Sequence, residues 1–131
     1  MFGGLPQPTV FVIDGDDAVR DSTCVRLECE GIVTRSYPSA TAFLGEVDAE
    51  GSGCIIVDAG SNGLDFLNEL HQRGIVIPAI VTTSGTVTEG LHAAVANLGA
   101  TLLQKPYAPG VLIAHVRRLL DSGDGGPIRL A

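Results

Sequence analysis

Five times along this chain a short run of aliphatic and β-branched residues is followed by a stretch compatible with a helix, the pattern of βα units built around a parallel sheet. The first run, Thr9 to Asp14 (TVFVID), is apolar at consecutive rather than alternate positions, as expected for a strand covered on both faces. Ile32 to Tyr37, Cys54 to Asp58 (CIIVD), Pro78 to Thr83 (PAIVTT) and Ala100 to Lys105 (ATLLQK) read as the other four strands. The first helix is expected from about Asp17 to Glu30, stopped by Gly31, which can take the left-handed geometry of a helix end. Ser39 is placed to cap a second helix through Phe43 and Leu44. Leu64, Leu67 and Leu70 predict an amphipathic helix from Gly63 to Arg73, closed by Gly74. Leu91, Val95 and Leu98 mark a fourth helix, and Leu112, Val116 and Leu119 a fifth. The expectation is one domain over residues 9–121, with an N-terminal extension at 1–8 and a frayed, Gly-rich tail at 122–131.

A length of 131 residues with 45% hydrophobic content is enough for one core without metal or disulfide staples, and 5% aromatic content points to a core of Val, Leu, Ile and Ala. The formal charge of -7, with eight Lys and Arg, argues against direct nucleic-acid binding, which needs clustered basic residues. Cys24, Cys29 and Cys54 are an odd set without metal-ligand spacing and read as small residues in a reducing compartment. No apolar run approaches the roughly 20 residues of a membrane span, and the start MFGGLPQP lacks the charged and apolar regions of a signal peptide. The expected location is cytoplasmic.

Chemistry collects at the strand ends. In an open parallel sheet with right-handed crossovers all strands finish at one edge, where ligand sites form. Asp14, Asp58, Thr83 and Lys105 each end a proposed strand, so they are expected to converge. Two carboxylates can hold Mg²⁺ together with waters and phosphate oxygens. One carboxylate can then act as nucleophile in an in-line phosphoryl transfer, with the Lys105 ammonium and Thr83 hydroxyl binding the transferred oxygens. Each residue alone has a plainer reading: a turn or cap aspartate, a β-branched strand residue, a solvated lysine. Their joint placement carries the argument.

The ordered series VIDGDDAVR, CIIVD, PAIVTT, GATLLQKP and Tyr107 resembles the receiver domain of bacterial two-component response regulators, from Val10 to about Leu120. The resemblance implies a flavodoxin-like (βα)5 three-layer sandwich, an α/β fold with a parallel five-stranded sheet in the order 2-1-3-4-5. It implies a signalling module rather than an enzyme, phosphorylated by a histidine kinase or phosphorelay protein. By position, Asp58 corresponds to the phosphoacceptor, Asp14 to the first member of the acidic pair, Thr83 to the switch hydroxyl and Lys105 to the phosphate-binding lysine. The bond before Pro106 is expected to be cis. The last two helices and the fifth strand would form the surface for dimers or outputs. No output domain is visible after Leu120, so either a stand-alone receiver or part of a longer protein is compatible with these residues.

Three departures from the family pattern suggest a divergent receiver. Gly15 stands where the second acid is expected, and losing a carboxylate that binds the metal directly costs at least about 10- to 100-fold in metal affinity, or about 1.4 to 2.7 kcal/mol, unless Asp16 swings in. Mg²⁺, held by Asp14, Asp58 and the Gly60 carbonyl, would then bind weakly. The chain after Asp58 reaches Gly63 in five residues instead of about eight, and Leu102 replaces the usual switch aromatic. One alternative is a phosphorylation-independent pseudo-receiver that serves as an interaction module. Another is a haloacid-dehalogenase-like phosphohydrolase with Asp14 as nucleophile and Asp16 as acid, since FVIDGDDAV also resembles that motif. A third is a flavin or nucleotide binder using Thr82 to Thr86 (TTSGT) as a phosphate loop.

Overall fold

The computed structural model describes residues 8–45, 53–121 and 129–130. Five strands, β1 (Thr9–Ile13), β2 (Val33–Tyr37), β3 (Gly53–Asp58), β5 (Ala79–Thr83) and β6 (Thr101–Gln104), form a parallel sheet in the order β2-β1-β3-β5-β6. This is the expected 2-1-3-4-5 order; the labels shift because a two-residue strand, β4 (Ile75–Val76), precedes β5. β1 lies inside the sheet, so it and β3, both strongly apolar, lie side by side and are covered on both faces.

Alternation along each strand sorts the core into two halves. The odd-numbered residues Phe11, Ile13, Ile55, Val57 and Val81 pack on one face against α2 (Ala40–Leu44), α3 (Gly63–Gln72) and α4 (Glu89–Asn97). The even-numbered residues Val10, Val12, Cys54, Ile56 and Ile80, with Leu103, pack on the other against α1 (Asp17–Cys29) and α5 (Pro109–Asp121). The helix boundaries follow the local signals: Ser39 Oγ accepts the Ala42 N–H, and Gly31, Gly74 and Gly99 take positive φ beyond helix ends. The Lys105–Pro106 bond is cis, as expected.

Two features differ from the sequence expectations. The core is not purely aliphatic, because four of the six aromatic residues gather on one face. Phe43 meets Phe11, Tyr37 and Phe66 edge-to-face at centroid distances of 5.3, 5.4 and 5.5 Å. Low aromatic content fixes how many rings there are and leaves open where they go. The tail was expected to be frayed, yet Arg129–Leu130 form a seventh strand, β7, antiparallel to β4. A short edge with unpaired backbone groups accepts such an addition. The rest of the expected tail and most of the N-terminal extension lie outside the described residues. Among the described residues no helix is long and apolar enough to cross a membrane.

Phe43 is 1% exposed and joins three rings, so Phe43→Ala should lower the unfolding free energy by about 3–5 kcal/mol. Urea unfolding followed by circular dichroism measures this.

Candidate functional site

Parallel register decides which side chains can meet. Ile13 is registered with Val57 on β3, so Asp14, one residue on, falls beside Asp58, and Asp58 is itself registered with Thr82 on β5. Asp14, Asp58 and Thr82 are all even-numbered and project on the α1/α5 side, forming a row across the three central strands. Lys105, two residues beyond Leu103, reaches the same side from β6. Its Nζ lies 3.1 Å from Asp58 Oδ1 and 3.4 Å from Asp14 Oδ2, tying both carboxylates to one ammonium. Burial disfavours that charge, but hydrogen bonds and attraction to Asp58 and Asp14 outweigh it and hold the lysine above its ordinary pKa.

Each carboxylate is further fixed by local backbone. Asp14 is buried, and its Oδ1 accepts the Asp16 N–H at 2.9 Å. Asp58 ends β3 and caps a 3-10 turn, Ala59–Ser61, its Oδ2 accepting the Gly60 N–H at 2.9 Å. The short loop after Asp58 closes through Asn62, whose φ of 61° is left-handed, and α3 begins at Gly63. A Cβ at Gly63 would lie 2.6 Å from the Asp58 carbonyl oxygen, so this tight path needs a glycine there. Arg20, unremarked in the sequence reading, donates to the Asp14 carbonyl at 2.7 Å and pairs with Asp17 at 2.6 Å.

Asp14, Asp58 and Lys105 therefore converge as expected, and Thr83 does not join them by a hydrogen bond. Being odd-numbered, Thr83 lies on the opposite face of the sheet, and its Oγ1 accepts the Gly85 N–H at 3.2 Å. The hydroxyl on Asp58 belongs to Thr82, 2% exposed, with Oγ1 3.4 Å from Asp58 Oδ1. The signal that could have found it was the strand period of two, applied to the neighbouring threonines. Leu102, registered with Val81, packs partly buried on the Thr83 face. Asp16 does not swing in: it is exposed, and its Oδ1 caps α1 by accepting the Val19 N–H at 3.1 Å. The TTSGT loop is fastened from outside, the Gly85 carbonyl accepting from Gln104 Nε2 at 3.2 Å. A cavity of about 430 Å³ between α1 and the segment after β6 opens beside Lys105, lined by Val19, Thr23, Arg26, Tyr107 and Leu112 among others.

The family model described as the response regulator receiver domain matches residues 10–117. The chain belongs to that family. It is 40% identical to the transcriptional regulatory protein FixJ of Azorhizobium caulinodans over 116 residues, 85% of this chain and 54% of that protein. The transcriptional regulatory protein TdiR of Thauera aromatica is 32% identical over 116 residues, 86% of this chain and 51% of that one. The chain thus spans about half the length of the curated relatives it matches. Among solved structures, a response regulator receiver protein from Pseudoalteromonas atlantica superposes with a TM-score of 0.82 at 20% identity, over 88% of this chain and 99% of that one. The structure titled FixJ-N gives 0.74 at 27% identity, over 87% and 94%. Receiver domains are signalling modules of two-component systems, and response regulators partner with histidine kinases. The phosphohydrolase reading gives way to this membership, and the capping role of Asp16 leaves it facing its own helix instead of a reacting group.

Because the Lys105 pKa is raised on folding, the stabilisation it brings is complete below 10.5 and is lost as pH rises through the higher folded value. The stability gap between the wild-type receiver and Lys105→Met should therefore be widest at neutral pH and shrink above 10.5. Urea unfolding at the two pH values checks it, and a gap unaffected by alkali would contradict the paired ammonium.

Proposed function

We propose that this receiver accepts a phosphoryl group on Asp58 from a histidine kinase or phosphorelay protein, through a pocket with weakened metal binding. The observation that carries this reading is the Asp58 carboxylate, 14% exposed at the sheet rim, with the Lys105 ammonium 3.1 Å away. As an Asp58 oxygen bonds to phosphorus, the P–N bond to the donor imidazole breaks and the freed imidazole takes a proton from solvent. Lys105 moves from the carboxylates to the arriving phosphoryl oxygens, a shift between neighbouring acceptors that keeps its charge paired.

The donor set fits a sparse, water-rich Mg²⁺ site. Asp14, Asp58 and the Gly60 carbonyl supply hard oxygens, Gly15 supplies none, and Asp16 is engaged as a helix cap. Bound there, Mg²⁺ would neutralise charge on the phosphoryl donor. On the opposite face, Thr83 and Leu102 occupy the positions of the switch pair. With an aliphatic side chain at 102, no ring can exchange between buried and exposed positions, so the response to phosphate is muted. The readout surface we assign to α4, β6 and α5, for a second copy or an output partner.

Phosphorylation by a small acyl phosphate donor in Mg²⁺, read as label on the intact chain, tests the assignment. Label should be lost in Asp58→Asn; label that persists would refute Asp58 as the acceptor. Gly15→Asp should raise Mg²⁺ affinity by about 10-fold or more in titration calorimetry. An unchanged affinity would show that the missing acid is not what limits the metal.

A further inference from the structure

We propose that Thr82 is a positioning residue that sets the lifetime of the Asp58 acyl phosphate, an inference that rests on Asp58 being the acceptor. The two oxygens of Asp58 have different surroundings. Oδ1 faces the Lys105 ammonium at 3.1 Å and the Thr82 hydroxyl at 3.4 Å, and Thr82 is 2% exposed. Oδ2 is turned to the exposed turn and receives the Gly60 N–H. The outer oxygen is therefore the one that meets phosphorus, and Oδ1 becomes the carbonyl oxygen of the acyl phosphate.

This geometry gives Thr82 a direction of effect. On hydrolysis a water oxygen bonds to phosphorus while the bond from phosphorus to Oδ2 breaks. Its electron pair returns to the carboxylate, a proton passes to solvent, and inorganic phosphate leaves. Negative charge grows on Oδ1 during that step, so a hydroxyl donating to Oδ1 is bound more strongly in the transition state than in the acyl phosphate. The resting distance of 3.4 Å is long for a hydroxyl on a carboxylate, and such contacts tighten as charge builds. Thr82 thus makes Asp58 a better leaving group and shortens the signal. Thr83 cannot substitute, because its hydroxyl is on the other face of the sheet and accepts from Gly85.

The test loads the full chain, as wild type, Thr82→Val and Thr82→Ser, with label from acetyl phosphate in Mg²⁺, then follows decay after the donor is removed. Thr82→Val keeps the shape and removes the donor, and its label should decay about 3- to 10-fold more slowly. Thr82→Ser keeps the hydroxyl and should decay within about twofold of wild type. Equal or faster decay in Thr82→Val overturns the proposal, as does a serine variant that behaves like the valine one, since packing rather than the hydrogen bond would then be responsible. Asp58→Asn, run in parallel, separates the two levels. Label surviving in that variant, or absent from wild type, defeats the acceptor assignment itself, whereas loss of label there with unchanged decay in Thr82→Val defeats only the role of Thr82.

Discussion

Two carboxylates on adjacent parallel strands share one lysine ammonium at the rim of the sheet, and the surrounding structure is arranged to make that meeting possible. Asp14 and Asp58 are neighbours because β1 and β3 are neighbours in register, and Lys105 reaches them from the end of β6, two strands from β3 and three from β1. Without the ammonium the two acids would face each other across a partly buried pocket, where like charges are costly. With it, the pocket is closer to neutral. The cluster is thus held together by the same charges that a phosphoryl group would rearrange.

The sheet separates the acid cluster from Thr83 and Leu102 by the face on which each side chain falls. Even-numbered ends carry Asp14, Asp58 and Thr82 on the α1/α5 side, while Thr83 and Leu102 lie on the side of α2, α3 and α4. Thr82 and Thr83, adjacent on one strand, touch the two faces in turn, Thr82 meeting Asp58 and Thr83 accepting from the Gly85 N–H. The short turn after Asp58 adds a second connection, since the carboxylate that would be modified also caps the turn leading into α3.

Much of this was legible in the residues. Runs of aliphatic and β-branched residues located the five strands of the sheet within a residue at each end, and glycines with positive φ marked helix ends. The convergence of Asp14, Asp58 and Lys105 follows from topology alone, because parallel strands end at one edge. Which threonine touches Asp58 did not follow, since positional resemblance pointed to Thr83 while side-chain contact depends on the face of the sheet. The aromatic cluster around Phe43 and the β4–β7 pairing were also invisible, because both join segments far apart in the chain through contacts that no local pattern encodes.

The composition of β5 has a consequence for alignment. Ala79, Val81 and Thr83 face one way, and Ile80 and Thr82 the other, so both sides present small or branched apolar groups followed by a hydroxyl. A strand this nearly symmetric cannot fix its own phase by polarity, as a half-polar strand would. The phase is held by backbone hydrogen bonds at its two ends, the Pro78 carbonyl accepting from the Ile55 N–H at 2.9 Å and the Thr83 carbonyl accepting from the Lys105 N–H at 2.7 Å. A one-residue deletion in the connection before Ala79 would leave the strand well buried and still hydroxylated at its end, while exchanging which threonine confronts the acid.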